Sequence, residues 1–337
     1  MQTVAVIGAT GAVGRELVRL LEARAFPLGA LRLFASPRSR GTTLAFRGEK
    51  LALDVLSLDA LRSIDLAFFA AGSAISREWI PQAKAHGTLC IDSSSAFRMD
   101  PDVPLIIPEI NAHALKNHQG VVASPNCAAT VLLMPLAPLH RRFRAKRIIA
   151  ATYQAASGGG AALLNHLLEE TRGVMEGRDV ATHLPFPYAF NLFPHTSTLH
   201  PSGYVEEELK MREETRKILD DAEIGVSATC VRVPVLRAHS VAANVEFRHP
   251  LTLDEVYAEL QAMPGVALFE ERGRNRFATP HDATGQDAVL CGRFRKDESQ
   301  PNTLEFWAVG DQLLKGAALN AVQIAEVLQN IRVTCRH

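Results

Sequence analysis

The sequence predicts an α/β chain of two domains, a doubly wound parallel sheet followed by an α+β domain. Residues 1–126 alternate short apolar runs with stretches of helical spacing, and a glycine turn joins the first run to the first helix. Beyond residue 127 longer strands appear, separated by helices and long connections. The chain has 337 residues, 47% hydrophobic and 21% charged, enough for more than one core. Thirty-six basic residues balance 36 acidic ones, so no overall charge draws it to nucleic acid or a membrane surface. No apolar run has the length of a membrane span, and the N-terminus enters a strand without the pattern of a signal peptide. The cysteines at 90, 127, 230, 291 and 335 are scattered and show no C-x-x-C spacing. Reduced thiols, a cytoplasmic setting and no structural metal are therefore expected.

Thr3-Val4-Ala5-Val6-Ile7 is a buried-strand run, and Gly8-Ala9-Thr10-Gly11-Ala12-Val13-Gly14 turns out of it. A helix over 15–23 follows, with Leu17, Val18, Leu20 and Leu21 on one face. Glycines tighten such a turn and let backbone N–H groups approach a pyrophosphate, whose charge the helix N-terminus stabilises. The spacing is a G-x-x-G-x-x-G variant of the dinucleotide fingerprint, which places Gly8, Thr10, Gly11, Ala12 and Val13 against a cofactor. A tight strand-to-helix turn without a ligand is the alternative.

A second strand over 31–35 ends in Ser36-Pro37-Arg38-Ser39-Arg40. An acidic residue there would hold the ribose 2′-hydroxyl of NAD; none is present, and two arginines offer to bind a 2′-phosphate. Ser36, Arg38 and Ser39 are thus read as NADP contacts, with a solvated basic loop as the alternative. Apolar runs at 65–72 and 89–94 look like further buried strands, and the helical segments between them complete a Rossmann-like, NADP-binding parallel sheet.

Gly120-Val121-Val122-Ala123 is strand-like, and the turn Ser124-Pro125-Asn126 leads into an apolar helix over 128–139. Cys127 therefore stands at a helix N-terminus, where unpaired N–H groups lower a thiol pKa and favour the thiolate. Alone, the residue is equally compatible with a small buried hydrophobe. Downstream, strands are expected at 147–154, 227–235, 241–247 and 303–309, with a flexible Gly158-Gly159-Gly160 turn before a helix near Ala161. A C-terminal helix over 313–328 carries an apolar stripe suited to packing on the first domain.

Seven motifs in order carry a resemblance covering nearly the whole chain. They are Gly8-Ala9-Thr10-Gly11-Ala12-Val13-Gly14, Ser93-Ser94-Ser95-Ala96-Phe97-Arg98, Pro125-Asn126-Cys127, Gln154-Ala155-Ala156-Ser157-Gly158, Glu207-Glu208-Leu209-Lys210, Arg232-Val233-Pro234-Val235 with His239-Ser240, and Asp311-Gln312-Leu313-Leu314-Lys315-Gly316. Together they resemble aspartate-semialdehyde dehydrogenase. The resemblance implies a fold of the semialdehyde dehydrogenase type: an NADP-binding domain over 1–126, completed by a C-terminal helix of about 313–337, and a catalytic and dimerisation domain over 127–312. It also implies interconversion of L-4-aspartyl phosphate and L-aspartate-4-semialdehyde with NADP and inorganic phosphate, on the way to lysine, threonine and methionine, in a homodimer or sometimes a tetramer.

On this resemblance, Cys127 attacks the aldehyde and carries a thioester, His239 is the acid/base and Gln154 holds the acyl intermediate. Arg232 pairs with the substrate carboxylate, a bidentate task lysine performs poorly. Glu207 neutralises the amino group, Lys210 and Arg98 bind the phosphoryl group, and Asn126 adds a neutral donor beside the nucleophile. Ser157, Gly158 and Gln312 are placed at the cofactor. The chain departs from the commoner pattern at Ser124, Ala128, Ala129, Gly159 and Ala238, and the hydroxyls missing at 128 and 129 put a helix-cap bond or a cofactor contact in doubt. A related acyl-phosphate reductase such as N-acetylglutamyl-phosphate reductase, and a non-catalytic NADP-binding homologue, are the alternatives.

Overall fold

The computed structural model describes residues 2–182 and 184–334, with side chains described through residue 330. Cys335 lies outside the described residues. The chain divides into two compact units, one of residues up to 125 together with those from 317 on, the other of residues 126–316.

In the first unit, β1 (Thr3–Ile7), α1 (Ala12–Ala23), β2 (Ala30–Phe34), β3 (Thr43–Phe46), β4 (Glu49–Asp54), α2 (Leu58–Leu61), β5 (Leu66–Phe69), α3 (Ser73–Ala85), β6 (Leu89–Asp92), α4 (Pro108–Asn111) and β7 (Val121–Ala123) follow one another. The strands form one sheet in the order β3-β4-β2-β1-β5-β6-β7. All neighbours are parallel except β3 and β4. Val4, Ala5, Val6 and all of β5 and β6 are buried, as expected of parallel strands covered on both faces. The order reverses at β1, between β2 and β5, and the crevice at the carboxyl end of such a switch point is where doubly wound sheets take ligands. The β3–β4 hairpin was not foreseen. It closes on Arg47 and Gly48, both at positive φ, a turn signal too weak to read in advance. The run at 65–72 is strand only to Phe69, because the chain turns through Gly72 at φ 89°.

In the second unit come α5 (Cys127–Phe143), β8 (Ala145–Gln154), α6 (Gly160–Met175), β9 (Phe193–Pro194), α7 (Glu206–Leu219), β10 (Gly225–Arg232), β11 (His239–Phe247), α8 (Leu253–Gln261), β12 (Val266–Leu268), β13 (Glu270–Glu271), β14 (Arg276–Phe277), α9 (Pro280–Ala283), β15 (Val289–Lys296) and β16 (Thr303–Gly310). A mixed sheet runs β12-β15-β16-β11-β8-β10-β9. Helix α5 is buried on almost every side and packs on β11, β16 and α7, so its uniform apolarity reflects a central position. Along β8 the residues alternate, with Ile148, Ala150, Thr152 and Gln154 buried and Ile149 and Tyr153 exposed.

Register brings the chemistry together. Arg232 pairs with Gln154 at the ends of parallel β10 and β8, while antiparallel β11 begins there with His239, opposite Gly310 of β16. Strand β10 stops at Arg232, short of the predicted 235, because Pro234 has no N–H for a ladder. At the C-terminus a π-helical turn, Leu314–Ala318, precedes α10 (Leu319–Thr334), so the regular helix starts later than the apolar spacing indicated. Helix α10 packs on α1, α4 and β6 of the first unit. Among the described residues no helix is long and apolar enough to cross a membrane.

Candidate active site

The glycine loop is built by close backbone approach. Gly8 sits at φ 89°, and a Cβ there would lie 2.6 Å from the Ala70 carbonyl oxygen. A Cβ on Gly14 would lie 2.1 Å from the Gly8 oxygen, so α1 rests directly on the loop. Gly11 caps α1, whose first turn holds no acidic side chain, and Gly8, Thr10, Gly11, Ala12 and Val13 are all partly exposed. This cradle fits a pyrophosphate. Past β2, Ser36 and Arg38 are exposed on a single 3₁₀ turn. Arg38 has no ion pair among the described residues, whereas Arg40 lies 3.8 Å from Asp54.

Arg98 also belongs to the first unit. It is buried, donating from Nε to the Ser124 carbonyl (2.9 Å) and from Nη2 to the Ser93 carbonyl (3.0 Å). Asp92 shapes that loop by accepting from Ser76 Oγ, Ser94 N and Ser94 Oγ. Ser124, the first departure from the family pattern, accepts from Asn320 Nδ2 through its hydroxyl at 2.9 Å.

The other expected catalytic and substrate residues all belong to the second unit. Cys127 is the first residue of α5, partly exposed, with Gly316 packed so closely behind it that a Cβ there would lie 2.9 Å from the Cys127 Cβ. Asn126 supplies the helix cap: its Oδ1 accepts from the N–H groups of Ala128 and Ala129. The hydroxyls missing at 128 and 129 therefore leave that cap intact. The Asn126 amide nitrogen, expected as a neutral donor beside the nucleophile, donates to Glu207 Oε1 at 2.8 Å. Gln154 Nε2 donates to the same oxygen at 3.1 Å, and Lys210 Nζ lies 3.9 Å from the other. Burial of Glu207 opposes its charge, but His195, the Asn126 amide, Lys210 and Gln154 outweigh burial and hold the carboxyl below its usual range. It is thus an ionised acceptor in a protein pocket, suited to an ammonium.

His239 is fully buried. Its Nδ1 accepts the Ala155 N–H at 3.0 Å, which assigns the ring hydrogen of the neutral imidazole to Nε2. Nε2 has no partner. Burial, then the charges of Arg232 and His195, hold this ring well below its ordinary value, so it is neutral at pH 7 and presents an N–H donor. Gly158 lies against it, since a Cβ there would come within 2.8 Å of Nε2 and Cε1. Arg232 is buried and donates to the Ala155 carbonyl (2.7 Å) and to His195 Nε2 (2.9 Å). The amide of Gln312, expected at the cofactor, is spent on Ala238 N and on Ser157 Oγ, so it acts on Ser157 and on the peptide before His239.

Sequence reasoning missed three residues of this network. His195 was one of 12 histidines with no pattern around it. Glu214 accepts the Asn126 N–H at 2.6 Å and fixes the turn before Cys127, but was hidden in a charge-rich helix. Gly316 showed no turn signal, because its glycine is required by packing on Cys127.

A doubly wound sheet with a phosphate cradle at its switch point, followed by a sheet whose end gathers a thiol, an imidazole and opposed charges, defines a nicotinamide-dependent dehydrogenase. Comparisons agree: models of the semialdehyde dehydrogenase NAD binding domain and dimerisation domain match residues 3–118 and 136–315. Aspartate-semialdehyde dehydrogenase of Synechocystis is 51% identical over 96% of both chains, and that of Prochlorococcus marinus is 46% identical over 97% of this chain and 95% of its own. Among solved structures, aspartate semialdehyde dehydrogenase II of Vibrio cholerae in complex with ASA matches with a TM-score of 0.95 at 38% identity, covering 98% of each chain. The chain belongs to the aspartate-semialdehyde dehydrogenase family.

Proposed function

We propose that this enzyme converts L-4-aspartyl phosphate to L-aspartate-4-semialdehyde, reversibly, with NADPH, in lysine, threonine and methionine biosynthesis. Cys127 attacks the acyl carbon, the bond to the phosphate oxygen breaks, and a thioester remains on the enzyme. Arg98 and Lys210 neutralise the departing phosphate. The reduced nicotinamide, when bound, supplies the hydride. His239, the acid/base residue at this site, donates its Nε2–H to the oxygen that becomes negative and stabilises it. Collapse of the thiohemiacetal then frees the aldehyde and Cys127. Gln154 sits beside Glu207 and holds the acyl group; Ser157 and Gly158 approach the nicotinamide.

The observation that carries the substrate assignment is a buried ionised Glu207 on α7 that accepts from Gln154, which in turn pairs with Arg232 at the ends of β8 and β10. Glu207 and Arg232 together suit a free α-amino acid, and an N-acetylated substrate has no ammonium to meet Glu207. Aspartate semialdehyde is therefore expected to exceed N-acetylglutamate semialdehyde in kcat/KM by at least about 10³-fold, because the latter brings no cation to the buried carboxylate and must desolvate an amide there. Equal rates would point to the related reductase, and no rate on either to a non-catalytic homologue.

NADP is preferred to NAD on the strength of Ser36, Arg38 and Ser39, with no acidic side chain directly after β2. Arg38→Ala is expected to raise KM for NADP about tenfold and leave that for NAD unchanged. An equal effect on both would refute the 2′-phosphate role. The four described cysteines are in no disulfide, which fits a reducing compartment that we take to be the cytoplasm.

We also assign homodimerisation to the uncovered face of the second sheet, where Ile149 and Tyr153 are 40% and 36% exposed and the Tyr153 and Trp307 rings lie 5.5 Å apart. Tyr153→Glu would bury a charge there, and light scattering should show it as a monomer at concentrations where the parent is a dimer. A dimer that survives Tyr153→Glu and Ile149→Asp together would place the interface elsewhere.

A further inference from the structure

We propose that His195 is a positioning residue for substrate recognition: a neutral imidazole acceptor that sets the fork of Arg232 and ties it, through Ser197, to the helix turn carrying Glu207. The inference rests on the reading of Arg232 as the group that binds the substrate carboxylate.

The backbone delivers His195 for this purpose. The two-residue edge strand β9 pairs with the end of β10, Phe193 opposite Arg232, and the His195 N–H donates to the Cys230 carbonyl at 2.8 Å. A guanidinium is a donor at every accessible pH, so at 2.9 Å His195 Nε2 is the acceptor and the neutral ring's hydrogen goes to Nδ1, where of its two neighbours, the Ser197 N–H at 3.2 Å and the Ser197 hydroxyl, only the hydroxyl oxygen can accept it. Nδ1 faces Ser197 Oγ at 3.1 Å, and Ser197 Oγ in turn accepts the Glu207 N–H at 3.1 Å. The relay thus runs Arg232, His195, Ser197, Glu207, and joins the two groups that read the substrate's two opposite charges.

The choice of imidazole has a physical reason. The two groups that hold the Arg232 fork, the Ala155 carbonyl and His195, are uncharged. A carboxylate in the place of His195 would orient the guanidinium as well but would neutralise it and compete with the substrate carboxylate. A neutral acceptor orients the fork and leaves its charge for the ligand. Protonation undoes this twice over, by removing the lone pair and by setting a cation against Arg232. Around the ring, Arg232 faces it from β10, His239 from β11, and Glu207, Glu208 and Lys210 from α7. Burial, aided by Arg232 and Lys210 and opposed by the two glutamates, keeps the imidazole below its ordinary value of 6.5.

The test uses the full-length enzyme with aspartate semialdehyde, NADP and phosphate, measuring KM and kcat from neutral pH down to about 5.5. His195→Ala should raise the semialdehyde KM about 10- to 100-fold with kcat within about threefold, the loss expected when a hydrogen bond to a charged group is removed. His195→Gln should restore KM to within about threefold, because its amide oxygen can accept from Arg232 and its nitrogen donate to Ser197. In the parent, KM should climb at the acid end; in His195→Gln it should stay flat. Should His195→Ala fail to fold, His195→Gln and Ser197→Ala carry the test, the first by its flat profile and the second by a raised KM. Arg232→Ala separates the two layers. If it raises KM while His195→Ala does not, the relay is wrong and the carboxylate reading stands; if Arg232→Ala leaves KM unchanged, both fall. A His195→Gln profile that climbs with acid like the parent's also overturns the proposal.

Discussion

Cys127→Ala is expected to lower turnover by at least about 10⁴-fold, the scale seen when the covalent nucleophile of a thiol or serine enzyme is removed. NADPH affinity should stay within about twofold, because the phosphate cradle and Arg38 belong to the first unit and Cys127 to the second. No other described thiol can stand in. Cys90, Cys230 and Cys291 are buried, and burial pushes each to about 12, so none offers a thiolate at pH 7. Alanine also spares the close contact with Gly316, so the local backbone has no reason to shift. Single-turnover kinetics with fluorescence titration of NADPH measure both quantities. Turnover within tenfold of the parent would remove Cys127 from the chemistry.

His239→Asn is expected to reduce kcat by about 10²- to 10⁴-fold with little change in semialdehyde KM, the range for a general acid/base. Nδ1 of the ring accepts from Ala155, and Nε2, fully buried, has no partner among the described residues. A buried polar atom without a protein partner costs free energy and is retained where a ligand supplies the partner. The sign with pH follows from the depressed value of this ring. It is neutral at pH 7 with its hydrogen on Nε2, and a second proton would have to take the Nδ1 lone pair from the Ala155 N–H, so turnover should slow only as the pH falls well below 6.5. In His239→Asn that acid limb in kcat should vanish. A variant with parental kcat would assign the imidazole a packing role.

Much of this was legible in the sequence because the physics is local. Gly8 and Gly14 are glycines since nothing larger fits between β1, α1 and the strand end at Ala70, and the spacing that marks them follows from that turn. Cys127 could be placed at a helix start from the Pro-Asn turn and the apolar run behind it. What stayed hidden depends on register and on long-range pairing. That Arg232, Gln154 and His239 share one sheet end follows from strand pairings between segments nearly 80 residues apart, which no periodicity encodes. His195 reaches Arg232 on a strand of two residues, too short for any alternation. Asn126 was read as a donor beside the nucleophile, while its cap on α5 and its bond to Glu207 were not legible, because the same amide chemistry serves all three.

Reduction of NADP by the purified enzyme with aspartate semialdehyde, followed at the absorbance of the reduced nicotinamide with and without inorganic phosphate, tests the central claim most directly. The thioester on Cys127 needs phosphate to release it, so sustained reduction should appear only when phosphate is present. Reduction at the same sustained rate without phosphate, or none in either case from folded enzyme that binds NADPH, would contradict the account.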